Sequence, residues 1–140
     1  MDKLVAAAQT AGAKVELFPH VEDVRPYLAA NHFLVLPSYR EGLSRAGIEA
    51  LACGRPVLVT AVPGCQELLS PLAWNGLAVA PRSAQSLLAA LLSLAALPPI
   101  QLQQGAAASR AWAEQQFGAP ATTAAFLAVV AAYLNKPTRS

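Results

Sequence analysis

Apolar and polar positions alternate along this chain in segments of two periods. Residues 2–12 read as a helix stopping at Gly12, and "KVELF" (14–18) predicts a short strand closed by Pro19. "VEDVRPYLAAN" (21–31) predicts a helix with Val24, Leu28 and Tyr27 inward and Pro26 tolerated in its first turn. "HFLVLPS" (32–38) is a continuous apolar run, as expected of a strand buried on both faces of a parallel sheet. A loop leads to a helix from about Ser44 to Cys53, with Ser44 as its N-cap, Gly54 at C′ and Pro56 just beyond. "PVLVTAV" (56–62) predicts a buried strand, "GCQELLS" (64–70) a short helix and "GLAVAP" (76–81) a fourth strand. Residues 83–97 predict a helix capped by Ser83; after Pro98 and Pro99 come helices near 100–116 and 121–134, then a fraying tail at 135–140.

Four strands alternating with helices predict an α/β fold, a Rossmann-like parallel sheet of about four strands flanked by helices. Ligands of such sheets bind beyond the carboxyl ends of the strands. "PSYREGLSR" (37–45) lies at one of these ends.

Composition narrows the class. The length of 140 residues fits a single domain spanning 1–140, with no repeat or internal linker. At 55% hydrophobic and 13% charged, the chain is set to pack a core. The net charge of +2 comes from scattered Lys and Arg, so no nucleic-acid partner is expected. Cys53 and Cys65 are too few for a disulfide framework and lack His or Cys at zinc spacing. Both are read as small buried thiols, with neither metal nor cofactor expected. The N-terminus lacks the pattern of a secretory signal. The apolar runs at 87–97 and 124–134 fall short of the roughly 20 residues needed to span a bilayer, and the first is read as core. The expectation is a cytoplasmic protein, with peripheral attachment at the inner membrane left open.

Two acids stand out against the apolar background. With a helix starting near Ser44, the N–H groups of Arg45, Ala46 and Gly47 emerge from its first turn as an anion site. Gly42 would let the loop backbone approach a ligand. Glu41 on the loop and Glu49 in the second turn bracket that site. Carboxylates beside an anion site accept hydrogen bonds from diols, so a ligand with sugar, diphosphate and ribose in line would fit. A solvated Glu in a loop or second turn is equally ordinary, and spacing alone leaves both readings open.

The stretch "LPSYREGLSRAGIEALACGRPVLVTAVPGCQELLSPLAWNGLAVAP" (36–81) resembles the C-terminal, donor-binding half of family-four glycosyltransferases, which have the GT-B fold. Acid spacing, "EALACGRPV", "PGCQEL" and "NGLAV" recur in the family's order, and the likeness covers roughly 15–118. The resemblance implies a retaining transfer of sugar from a nucleotide-sugar donor to a glycan or lipid acceptor, in most members without a metal. It implies that Glu41, the catalytic candidate, contacts donor-sugar hydroxyls. Gly42 and Leu43, with Ser44 and Arg45 at the helix start, would approach sugar and diphosphate, and Glu49 would hold the ribose diol.

Departures from the family pattern are Ser44 for a frequent proline, Ala61 for a frequent aspartate, His32 for a frequent acid, and Pro19-His20 for a glycine. The family's N-terminal acceptor domain and first two donor-domain strands have no counterpart here. Lys3 and Lys14 do not match its diphosphate-gripping basic pair. The missing strands would lie mid-sheet, between those matching 14–18 and 33–37. The gap must close, expose edges, or pair with a second chain carrying the acceptor domain. A fragment, a split enzyme and a truncated gene are the readings in view.

His20 and His32, without partner acids, read as structural; Arg40 and Arg45 read as surface partners of the acids, and Trp74 as a cover over the core. Two further functions stay open. One is a non-catalytic module that binds a nucleotide sugar weakly or docks onto a partner. The other is a sugar-nucleotide epimerase-like module, against which the acid spacing argues.

Overall fold

The computed structural model describes residues 12–134 and, before them, Ala6, Ala8 and Thr10. The helix expected over 2–12 lies largely outside the described residues. The three described positions are helical, and Gly12 follows in the left-handed region at φ +83°.

Three parallel strands form the sheet, in the order β1 (Leu34–Leu36), β2 (Val57–Thr60), β3 (Gly76–Val79). Leu34 pairs in register with Val57, and Val57 with Gly76. The central β2 is apolar on both faces because both are covered: Val57, Leu58 and Val59 are all fully buried. Period-two alternation sends Val57 and Val59 into one core cluster and Leu58 into the other.

Two expectations about strands fail. Residues 14–18 form no strand, so the sheet has three strands and not about four. A strand exists only where a neighbour's backbone takes its hydrogen bonds. The side chains of this segment settle locally instead: Lys14 Nζ pairs with Glu16 at 2.6 Å, and Phe18 stands edge-on to Tyr27 at 4.7 Å between centroids. Nor is β1 buried on both faces. Its one described neighbour is β2, and Val35 is 37% exposed.

Helix α1 (Arg25–Ala30) is shorter than the expected 21–31. Asp23 explains its start: Oδ1 accepts from the Arg25 N–H at 2.9 Å, and the carboxylate also takes the Arg25 guanidinium. That guanidinium holds the Asp23 carboxyl below the usual range. Val24 and Leu28 face inward as expected, whereas Tyr27 is exposed.

Helix α2 (Arg45–Ala52) begins and ends where its caps predict. The Ser44 hydroxyl accepts from the Gly47 N–H, and Gly54 takes φ +68° just past the end. The short helix expected at 64–70 is a single 3₁₀ turn, Gln66–Leu68. Helix α3 (Ala84–Ala95), capped by Ser83, covers one sheet face through Leu87 and Leu94. Its other side is open, with Leu88 and Leu92 exposed, so the run at 87–97 is only half core.

Helix α4 (Pro99–Phe117) packs along α2 on the opposite face, with Gly105, Ser109 and Ala113 buried. Trp74 packs instead on the cluster around Leu58, Val79 and Leu94, and its ring reaches α4 at Gly105, where a Cβ would overlap it. Helix α5 (Ala119–Leu134) stands away from the sheet with Phe126, Leu127 and Val129 exposed. Among the described residues, no single helix is long and apolar enough to cross a membrane.

Candidate functional site

The loops leaving β1, β2 and β3 gather at one end of the sheet, the carboxyl end of all three strands. Parallel pairing forces this convergence, and helix α2 starts from it.

The loop after β1 is locked against the loop after β2 by backbone contact. Gly64, at φ +82°, sits against the Gly42 and Glu41 carbonyls so closely that a Cβ would overlap both. Its N–H donates to Glu67 Oε2 at 2.7 Å, which holds the turn. Gly42 has the opposite character. A Cβ there would meet nothing within 4 Å, and its φ is not positive. The loop-to-loop contact is thus made at Gly64, while Gly42 faces open space.

Glu41 is half-buried beside this junction and accepts a hydrogen bond from the Ser38 hydroxyl, at Oε2, 3.0 Å. Ser38 is held in turn, because the Thr60 hydroxyl at the end of β2 donates to its carbonyl oxygen. Thr60 is 3% exposed. Beneath them lies Cys65, fully buried. Burial pushes its thiol up, the Glu41 charge adds to that, and the neighbouring Thr60 hydroxyl works the other way. Both cysteines are free, and Cys65 is the buried thiol expected, whereas Cys53 is half-buried.

The start of α2 differs in one respect from the expected anion site. Ser44 Oγ already accepts from the Gly47 N–H at 3.3 Å. Arg45 and Ala46 are therefore the first-turn residues whose N–H groups lack an acceptor among the described residues. The Glu49 side chain is 45% exposed. Arg45 reaches only to 3.9 Å from Glu49 Oε1 and is itself exposed, which makes a weak surface pair. Leu43 is exposed on the same rim. Glu41, Gly42, Leu43, Ser44, Arg45 and Glu49 thus share one loop-and-helix unit.

A cavity of about 340 Å³ opens on the far side of the β1 loop, lined by Tyr39, Thr60, Arg82 and Leu87 among others. The Arg82 guanidinium lies 5.6 Å from the centre of the Tyr39 ring. His20 and His32 are exposed, and the described residues contain no cluster able to hold a metal. Sequence reasoning missed Ser38, Thr60 and Gly64. Their signals were present: a hydroxyl residue two positions past the first strand and another closing the second, and a Pro-Gly turn after the second.

A parallel sheet with helices on both faces and its loops gathered at the carboxyl edge makes the molecule a Rossmann-like α/β domain. Solved structures agree. A sucrose-phosphate synthase from Thermosynechococcus elongatus superposes with a TM-score of 0.70 at 28% identity, over 94% of this chain and 34% of that one. A glycosyltransferase from Rickettsia africae gives 0.81 at 19% identity, over 97% of this chain and 36% of that one. The chain belongs to the family described as glycosyl transferases group 1, whose model matches residues 1–96.

Among relatives, a Bacillus subtilis protein assigned as a teichuronic acid biosynthesis glycosyltransferase is 44% identical over 69 residues, 49% of this chain and 17% of its own length. The N,N'-diacetylbacillosaminyl-diphospho-undecaprenol alpha-1,3-N-acetylgalactosaminyltransferase of Campylobacter jejuni is 37% identical over 65 residues, 46% of this chain and 17% of its own. The matched stretch is thus a small part of each relative's length.

Proposed function

We propose that this chain supplies the donor side of a retaining sugar transfer from a nucleotide sugar to a glycan or lipid acceptor. The observation that carries the reading is the Glu41–Glu49 unit: one acid precedes and the other follows the first turn of α2, whose Arg45 and Ala46 N–H groups lack an acceptor among the described residues. Glu41 would accept from donor-sugar hydroxyls, Gly42 and Leu43 would lie along sugar and diphosphate, and Glu49 would hold the ribose diol. The helix start at Ser44 and Arg45 would stabilise the diphosphate as the bond to the anomeric carbon breaks and its electron pair leaves with the phosphate oxygen. The diphospho-undecaprenol in the name of the Campylobacter jejuni relative supports a lipid-linked acceptor.

The test separates the two acids. Glu49→Gln is expected to weaken nucleoside diphosphate binding by about 1–3 kcal/mol, since a charged acceptor becomes neutral. Glu41→Gln is expected to spare nucleoside diphosphate binding and to cut the extra affinity for the matching nucleotide sugar. Calorimetric or NMR titration reads both. Equal nucleoside diphosphate affinity for wild type and Glu49→Gln would remove Glu49 from the site.

A polypeptide of residues 1–140 alone is expected to bind nucleotide no better than about millimolar and to show no turnover. Two N–H groups at a helix start attract phosphate weakly, and roughly 4 kcal/mol corresponds to that affinity. Incubation with common nucleotide sugars and mixed glycan and lipid acceptors checks this. Nucleotide release above hydrolysis, abolished by Glu41→Ala, would refute it.

A further inference from the structure

We infer that Thr60 and Ser38 are positioning residues that aim Glu41 at the donor sugar, an inference resting on the reading of Glu41 given above. Glu41 sits on a loop, and a loop carboxylate explores several rotamers unless something holds it. Here the hold is a two-step relay from the most buried strand. Thr60 closes β2, whose other three residues are fully buried, so its hydroxyl has a fixed origin. That hydroxyl donates to the Ser38 carbonyl and pins the first residues of the β1 loop. The Ser38 hydroxyl then donates to Glu41 Oε2.

The relay has a chemical consequence. Oε2 already accepts one hydrogen bond, so Oε1 keeps both of its acceptor positions for a ligand and Oε2 keeps one. Glu41 meets its ligand with its rotamer already chosen, which lowers the ordering cost at binding. The Gly64 contact with the Glu41 and Gly42 carbonyls fixes the backbone of the same residue from the other side. The Glu41 side chain is therefore held through Ser38 by Thr60 at the end of β2, and its backbone by Gly64 in the loop that follows.

A purely structural role for this relay would weaken every ligand alike. A positioning role weakens only what Glu41 touches. The measurement is the ratio of affinities for a nucleotide sugar and its own nucleoside diphosphate, by NMR titration with UDP-N-acetylglucosamine against UDP and GDP-mannose against GDP. The preferred pair is carried forward to Thr60→Val, Thr60→Ser, Ser38→Ala and Glu41→Gln. Expected are a drop of about tenfold in the ratio for Ser38→Ala and Thr60→Val, the scale of one hydrogen bond to a charged group, and retention in Thr60→Ser.

If Glu41→Gln lowers the ratio while Ser38→Ala and Thr60→Val leave it unchanged, the relay is refuted and the role of Glu41 stands. If Glu41→Gln also leaves it unchanged, the reading of Glu41 fails and the relay with it. Equal losses for both ligands in Thr60→Val and Ser38→Ala mean structural support only, and also overturn the proposal. Should Thr60→Val not fold, Ser38→Ala decides.

Discussion

Gly64→Ala is expected to destabilise the protein by about 2–5 kcal/mol. Two costs combine. A residue with a Cβ pays roughly 1–2 kcal/mol in the left-handed region, and Gly64 lies at φ +82°. The added methyl would also overlap the Gly42 and Glu41 carbonyls, which are backbone and can yield only if the loop moves. Overpacking of this kind costs typically about 1–3 kcal/mol. Urea unfolding followed by circular dichroism measures the loss. Gly42→Ala is the matched control, because its Cβ meets nothing and its φ is not positive. It is expected within about 0.5 kcal/mol of wild type, as for surface substitutions in general. Equal stability of the two variants would show that the two loops do not meet as described. The same experiment bears on function: in Gly64→Ala, the displaced loop carries Glu41 with it, so any nucleotide-sugar preference is lost along with stability.

Asn75→Ala is the second large effect, again expected at about 2–5 kcal/mol. Asn75 is 1% exposed and serves two backbone groups at once. Its Nδ2 donates to the Leu68 carbonyl at 3.0 Å, and its Oδ1 accepts from the Ser70 N–H at 2.9 Å. Alanine leaves a carbonyl and an N–H without partners, each worth about 1–3 kcal/mol when buried. The consequence reaches the site through Leu68. A Cβ at Gly47 would overlap the Leu68 side chain, so α2 rests directly on that residue. Loss of the Asn75 bracket frees the 3₁₀ turn on which α2 lies. The urea midpoint should fall with little change in slope, and amide exchange should quicken in α2 before β2. A midpoint within error of wild type would mean that Leu68 and Ser70 find other partners.

The elements that carry the site were legible because their signals are local. Ser44 caps α2 and Gly54 ends it as the residue types require, within four positions of each terminus. The full burial of β2 followed from its unbroken apolar run. Glu41 and Glu49 were found by spacing and by the family's order of motifs, and their grouping on one loop-and-helix unit followed from the cap.

What failed depends on partners remote in sequence. Residues 14–18 have strand-like composition, yet no strand forms where no neighbouring backbone takes its hydrogen bonds. Val35 is apolar, yet exposed, because burial belongs to the sheet's neighbours and not to the residue. That Gly64 meets the Gly42 and Glu41 carbonyls could be seen only once the two loops were brought together. The hold of Thr60 on Ser38 spans 22 positions and has no local pattern to announce it. By itself the sequence determined the ends of α2, the central strand and the family, since capping and apolar burial act over a few residues. The tertiary structure alone decided how many strands pair, which glycine bears the contact and what holds Glu41, since those are set by backbone pairing and close packing between segments the chain brings together only on folding.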